Sequence, residues 1–137
     1  MRWLPPALCV ALAALPGCGG DDDPPTRTAR VAAGEPVRVV GSEYAFDPGR
    51  IVVAGGPAKL RITLDNQGSL AHNITVLQGE TEVGGLSSFP EGEQRSTTVA
   101  VDTGSYRLVC TVADHEELGM EGTLEVRGAR NGGGDPL

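Results

Sequence analysis

Aromatic side chains are scarce in this sequence. One tryptophan, two tyrosines and two phenylalanines make up 4% of 137 residues. Any core must therefore be packed from valine, leucine and isoleucine. Basic residues are few as well. Eleven Lys and Arg stand against 18 Asp and Glu, a net charge of −7. A chain of that sign repels a phosphate backbone and is no general binder of nucleic acid. Heptads, internal repeats and amphipathic helices of useful length are absent. No apolar run reaches the roughly 20 residues of a membrane span. The length admits one domain plus tails, and not an enzyme core with a separate substrate domain. Turn formers are what the chain has in plenty. Its 20 glycines and 10 prolines argue against a helical bundle.

The amino terminus reads as a processing signal. Arg2 precedes an apolar stretch from Trp3 to about Leu15, the charged-then-apolar layout of a secretory signal peptide. Leu15, Pro16, Gly17 and Cys18 resemble a bacterial lipobox, with a proline as a mild departure. That resemblance implies cleavage after residue 17 and lipidation of Cys18. Cys9 is lost with the signal, so Cys110 is the one free thiol of the mature domain and no disulfide is available to it. Residues 18–35 read as a flexible acidic, proline- and glycine-bearing tether. Residues 128–137 read as a disordered tail.

Between them, 36–127 carry a repeated strand signature. Val37, Val39 and Gly41 alternate with Arg38, Val40 and Ser42. Leu60, Ile62 and Leu64 share one face of K-L-R-I-T-L-D. Further strands are expected at Tyr44–Phe46, Ile51–Val53, His72–Leu77, Ser96–Val101, Tyr106–Cys110 and Thr123–Arg127. Residues 79–92 look irregular, with room for a short helix. Seven or eight short strands between glycine and proline turns predict an all-β fold, a β-sandwich or small barrel.

Four residues hold the chemistry. Cys110, His115 and Met120 follow one another at spacings of five, from a strand end through a glycine-bearing loop. The other histidine of the chain is His72, at the start of an earlier strand. One thiolate and two imidazoles in a trigonal set, with a weak axial thioether, make a blue-copper electron-transfer site. The soft thiolate and the ring nitrogens serve both copper oxidation states. The thioether occupies an axial place without forcing a planar geometry. Zinc also takes cysteine and histidine, but a thioether is a poor ligand for it and it has no redox role. Taken singly, a buried cysteine or methionine is ordinary core filling; the set of four is not.

These residues resemble the cupredoxin family, in its plastocyanin- and azurin-like branch. The likeness covers nearly all of 36–127. It includes E-Y-A-F-D-P from Glu43, L-A-H-N-I-T-V from Leu70 and C-T-V-A-D-H-E-E-L-G-M-E-G-T-L-E-V from Cys110. It implies a Greek-key β-sandwich binding one type 1 copper through His72, Cys110, His115 and Met120. It further implies that Asn73 ties the two ligand loops together, braced by Thr111, with its N–H directed to the cysteine sulfur. Gly119 is expected to give the turn before Met120. Ala113 and Asp114 depart from the proline and glycine that the family often places before the loop histidine.

The function that follows is one-electron transfer, without catalysis. Donor and acceptor would be redox proteins: a cytochrome, an oxidase or a reductase. The carrier would be a monomer, lipid-anchored on the extracytoplasmic side of a bacterial membrane. The alternative is a copper-delivery module with the same fold. A two-copper centre needs a second loop cysteine, and a multicopper oxidase needs more histidines. Cysteine-based hydrolysis lacks an oxyanion-hole motif.

Overall fold

The computed structural model describes residues 26–130. Among them are ten strands and no helix. In chain order they are β1 (Thr28–Ala32), β2 (Val37–Ser42), β3 (Ala45–Asp47), β4 (Arg50–Gly56), β5 (Ala58–Asn66), β6 (His72–Gln78), β7 (Thr81–Phe89), β8 (Gln94–Val101), β9 (Gly104–Val109) and β10 (Glu121–Gly128). They form two mixed sheets. One runs β1-β4-β10-β9-β6-β7 and the other β3-β2-β5-β8. The fold is all-β, a sandwich of these two sheets.

Period-two patterning explains the packing. In β5, Leu60, Ile62 and Leu64 are fully buried and alternate with Lys59, Arg61 and Thr63. In β2, Val37 and Val39 point the same way. Across the interior they meet Ile74, Val76, Leu108, Leu124 and Val126 from the larger sheet. Each such side chain contributes about 1.5–3 kcal/mol on leaving water. One side of each strand is thus committed to the core, which fixes its register.

Two sequence readings need correction. Part of the presumed tether, Thr28–Ala32, is strand β1, paired in parallel with β4 from Thr28↔Arg50 to Ala32↔Ala54. It is an edge strand, and only Ala29 and Val31 pack against the core, too few to give an apolar period. The second correction is β7, which occupies the stretch read as irregular. Its alternation is broken by Gly84 and Gly85. A Cβ on Gly84 would lie 3.0 Å from the Val99 methyls, and one on Gly85 2.5 Å from the Ile74 carbonyl oxygen. Those glycines mark a close approach of strands, not a loop. Both additions raise the strand count above the expected seven or eight. The signal segment, Cys18 and most of the C-terminal tail lie outside the described residues.

Three connections meet at one end of the sandwich: residues 43–44 between β2 and β3, 67–71 between β5 and β6, and 110–120 between β9 and β10. The other end carries the β6–β7 turn. Tyr106 anchors the β8–β9 corner. Its hydroxyl accepts the Asp102 N–H at 2.8 Å and donates to the Asp102 carbonyl at 3.0 Å.

Candidate metal centre

His72 opens β6, and Cys110 follows the last residue of β9. These strands are neighbours in the large sheet, paired from Thr75↔Val109 to Leu77↔Arg107. The pairing alone brings the first histidine and the cysteine to the same sheet end. The third residue comes from the loop. The Met120 carbonyl accepts the Cys110 N–H at 3.1 Å and closes its base. Within it, His115 N–H reaches the Val112 carbonyl at 3.0 Å, and Met120 N–H reaches the His115 carbonyl at 2.9 Å. Gly119, at φ 103°, makes the turn before Met120, as expected for a residue without a Cβ. Ala113 sits at φ 45°, a left-handed conformation that costs a non-glycine residue on the order of 1–2 kcal/mol. An alanine in that conformation leaves local backbone strain in the ligand loop.

The result is a buried donor triangle. His72 and Cys110 are fully buried and His115 is 5% exposed. The two Nδ1 atoms are 3.2 Å apart. Cys110 Sγ lies 3.9 Å from Nδ1 of His72 and 3.5 Å from Nδ1 of His115. A point equidistant from the three atoms lies about 2.1 Å from each, the length of a metal–nitrogen bond and about 0.2 Å short of a zinc–sulfur bond. The three donors therefore fit a single transition-metal ion. Soft sulfur with two imidazoles suits copper or zinc.

Met120 is also fully buried. A Cβ built on Gly41 would lie 3.4 Å from Met120 Cε and 4.0 Å from His72 Cβ. The Met120 methyl and the His72 Cβ thus both approach Gly41, a β2 residue whose missing side chain leaves them room. Asn73 and Thr111 are joined twice. Asn73 Nδ2 donates to Thr111 Oγ1 at 2.8 Å, and Thr111 N–H donates to Asn73 Oδ1 at 2.8 Å. These bonds tie the residue after His72 to the residue after Cys110. The polar neighbours of Cys110 Sγ are the two imidazoles; no hydrogen bond from Asn73 N–H to the sulfur occurs among the described residues.

The β2–β3 connection supplies two residues to which sequence reasoning gave no role. Glu43 Oε1 lies 2.9 Å from His72 Nε2 and accepts the N–H groups of Ser69 and Leu70 at 2.9 Å each. The Leu70 N–H above all, with help from Ser69 and His72, lowers its carboxyl pKa to about 2. Tyr44 presents its ring edge-on to His115, with centroids 5.0 Å apart. The one signal for them was E-Y-A-F-D-P, which carries no metal ligand and so suggests no chemistry on its own.

The chain matches no protein-family profile and no curated protein. Solved structures do resemble it. Reduced auracyanin from Roseiflexus castenholzii is 18% identical, with a TM-score of 0.62 over 69% of this chain and 98% of that one. Rusticyanin from Thiobacillus ferrooxidans is 21% identical, with a TM-score of 0.57 over 70% and 80%. Auracyanin A from Chloroflexus aurantiacus, described as a "blue" copper protein, is 19% identical, with a TM-score of 0.58 over 67% and 99%. At these identities the likeness is one of fold. The chain thus joins a cupredoxin-type sandwich to a buried His–Cys–His donor set at one end.

Proposed function

We propose that the protein is a type 1 copper electron-transfer protein, with His72, Cys110 and His115 as equatorial ligands and Met120 as the axial one. The observation that carries this reading is the donor triangle, whose three atoms already surround one point at bonding distance. The blue-copper description of one structural relative supports the choice of metal. When bound, copper supplies the one-electron Cu(II)/Cu(I) couple. The protein's part is to keep the donors still. The Asn73–Thr111 pair locks the strand ends that bear His72 and Cys110. Glu43 holds the outer nitrogen of His72, and Tyr44 packs on His115. Donors fixed in this way change little between oxidation states, which favours rapid transfer. His115 is the least buried of the three, so its ring edge gives the shortest path to a redox partner. In this reading the protein is not an enzyme. It works as a monomer between a donor and an acceptor of the cytochrome, oxidase or reductase class.

Lipid on Cys18 would hold the domain on the extracytoplasmic face of a membrane. One structural feature bears on how. Thr26 lies beside Gly49, whose carbonyl accepts the Thr123 N–H near the start of β10. The chain therefore enters the fold at the ligand-loop end. Residues 19–25 can span at most roughly 25 Å. An anchor at Cys18 would keep that end near the membrane surface, within reach of embedded partners.

Cys110→Ser tests the metal assignment. The variant is expected to stay folded, because the core rests on Leu60, Ile62, Leu64, Leu108 and Val126, and to lose the intense blue colour given by a copper–thiolate bond. A blue Cys110→Ser protein would overturn the assignment.

A further inference from the structure

We infer that Glu43 is a positioning residue of the metal centre: its carboxylate accepts the Nε2–H of His72 and so fixes the tautomer whose Nδ1 lone pair faces Cys110 and His115. The inference rests on the copper reading above and adds to it a residue that is not a ligand.

The geometry leaves His72 little choice. Its ring is fully buried. One nitrogen lies in the donor triangle, and the other is 2.9 Å from Glu43 Oε1. An ionised carboxylate has no proton to give. The imidazole must then donate from Nε2, which leaves Nδ1 as a lone pair. The N–H groups of Ser69 and Leu70 converge on the same Glu43 oxygen, so it stands as an acceptor where it meets His72 Nε2. The 67–71 segment also closes over the contact. A Cβ on Gly68 would fall on Glu43 Oε1 and within 2.7 Å of His72 Nε2. Only a glycine lets the backbone lie this close against the pair. One oxygen thus links the β2–β3 loop, the β5–β6 loop and a ligand.

Two consequences differ from those of a structural contact. A carboxylate behind an imidazole makes the ring a stronger donor. Its negative charge, one ring away from the metal, also favours Cu(II) over Cu(I) and lowers the reduction potential.

The test begins without metal. In the copper-free protein, nitrogen-15 NMR of the histidines is expected to show His72 with its proton on Nε2. A proton on Nδ1 of His72 would overturn the inference, whatever the variants do. Copper titrations and voltammetry then compare the parent with Glu43→Gln. Glu80→Gln, in the β6–β7 turn at the far end, controls for the loss of one charge. Glu43→Gln is expected to stay blue while its Cu(II) affinity falls roughly 10- to 100-fold. If Cu(I) affinity is unchanged, each tenfold loss raises the potential by about 59 mV. Glu80→Gln is expected to match the parent, and Glu43→Asp to fall between the parent and Glu43→Gln. Parent-like affinity and potential in a folded, blue Glu43→Gln would overturn the inference. A parent that binds no copper would instead overturn the copper reading, and the tautomer measurement would still decide on Glu43.

Discussion

Asn73 and Thr111 exchange two hydrogen bonds of 2.8 Å, one from each residue to the other. Their neighbours in sequence are His72 and Cys110, so the pair works as a latch between two candidate ligands that lie far apart in the chain. Asn73 is buried, at 8% exposed, whereas Thr111 is open to water.

Asn73→Ala removes both bonds and leaves the Thr111 N–H without its partner. Water can reach the exposed Thr111 and replace that partner, so a modest loss of about 0.5–1.5 kcal/mol is expected in denaturant unfolding of the copper-free protein. Thr111→Val removes one bond and is expected to cost less. A double-mutant cycle isolates the coupling, expected at about 0.5–3 kcal/mol. Strictly additive effects would mean that the two residues do not act together.

Tyr106→Phe tests the scaffold apart from the site. The lost hydroxyl bridges the N–H and carbonyl of Asp102, and Asp102 is open to water. Water can replace the missing partner, so the cost is expected to be modest, about 0.5–1.5 kcal/mol. Copper affinity and colour are expected to be unchanged. A shifted spectrum would show that the corner at the start of β9 influences Cys110 at its end.

Met120→Leu separates the axial position from the equatorial set. The swap nearly conserves volume, so a fully buried site tolerates it at a cost below about 1.5 kcal/mol. The trigonal donors remain, and the blue colour is expected to persist. Loss of a weak donor to copper, with added apolar bulk, favours the lower charge of Cu(I), so the potential is expected to rise. A clear fall on voltammetry would remove Met120 from the ligand set.

Sequence legibility differed from element to element, for physical reasons. Strands such as β5 were plain, because Leu60, Ile62 and Leu64 alternate with polar residues and burial follows the period. The donor set was visible because cysteine and histidine are so few that His72, Cys110 and His115 had no competitors. β1 was hidden because an edge strand with two half-buried side chains carries no apolar rhythm. β7 was hidden because Gly84 and Gly85, which usually signal a turn, here allow close approach of neighbouring strands. Glu43 was hidden for a different reason. Its partners are backbone N–H groups and a histidine 29 positions away, and only the meeting of three loops at one end of the sandwich brings them together. The strain at Ala113 was likewise not written in composition, since alanine says nothing about its own φ.

Cys18→Ser tests the anchoring. With the lipidated cysteine gone, the protein is expected to move from the membrane fraction to the soluble extracytoplasmic fraction, with its visible spectrum unchanged. Retention in membranes after a high-salt wash would point to an uncleaved signal segment and against Leu15–Cys18 as a lipobox.

The central claim is that His72, Cys110 and His115 close around one copper ion. Titration of the reduced-thiol, metal-free domain with Cu(II), followed by visible absorption alongside metal analysis, tests it most directly. The expected result is an intense blue chromophore that grows linearly and saturates at one copper per chain, bleaches on reduction and returns on oxidation. A colourless complex, or saturation at two coppers per chain, would contradict it.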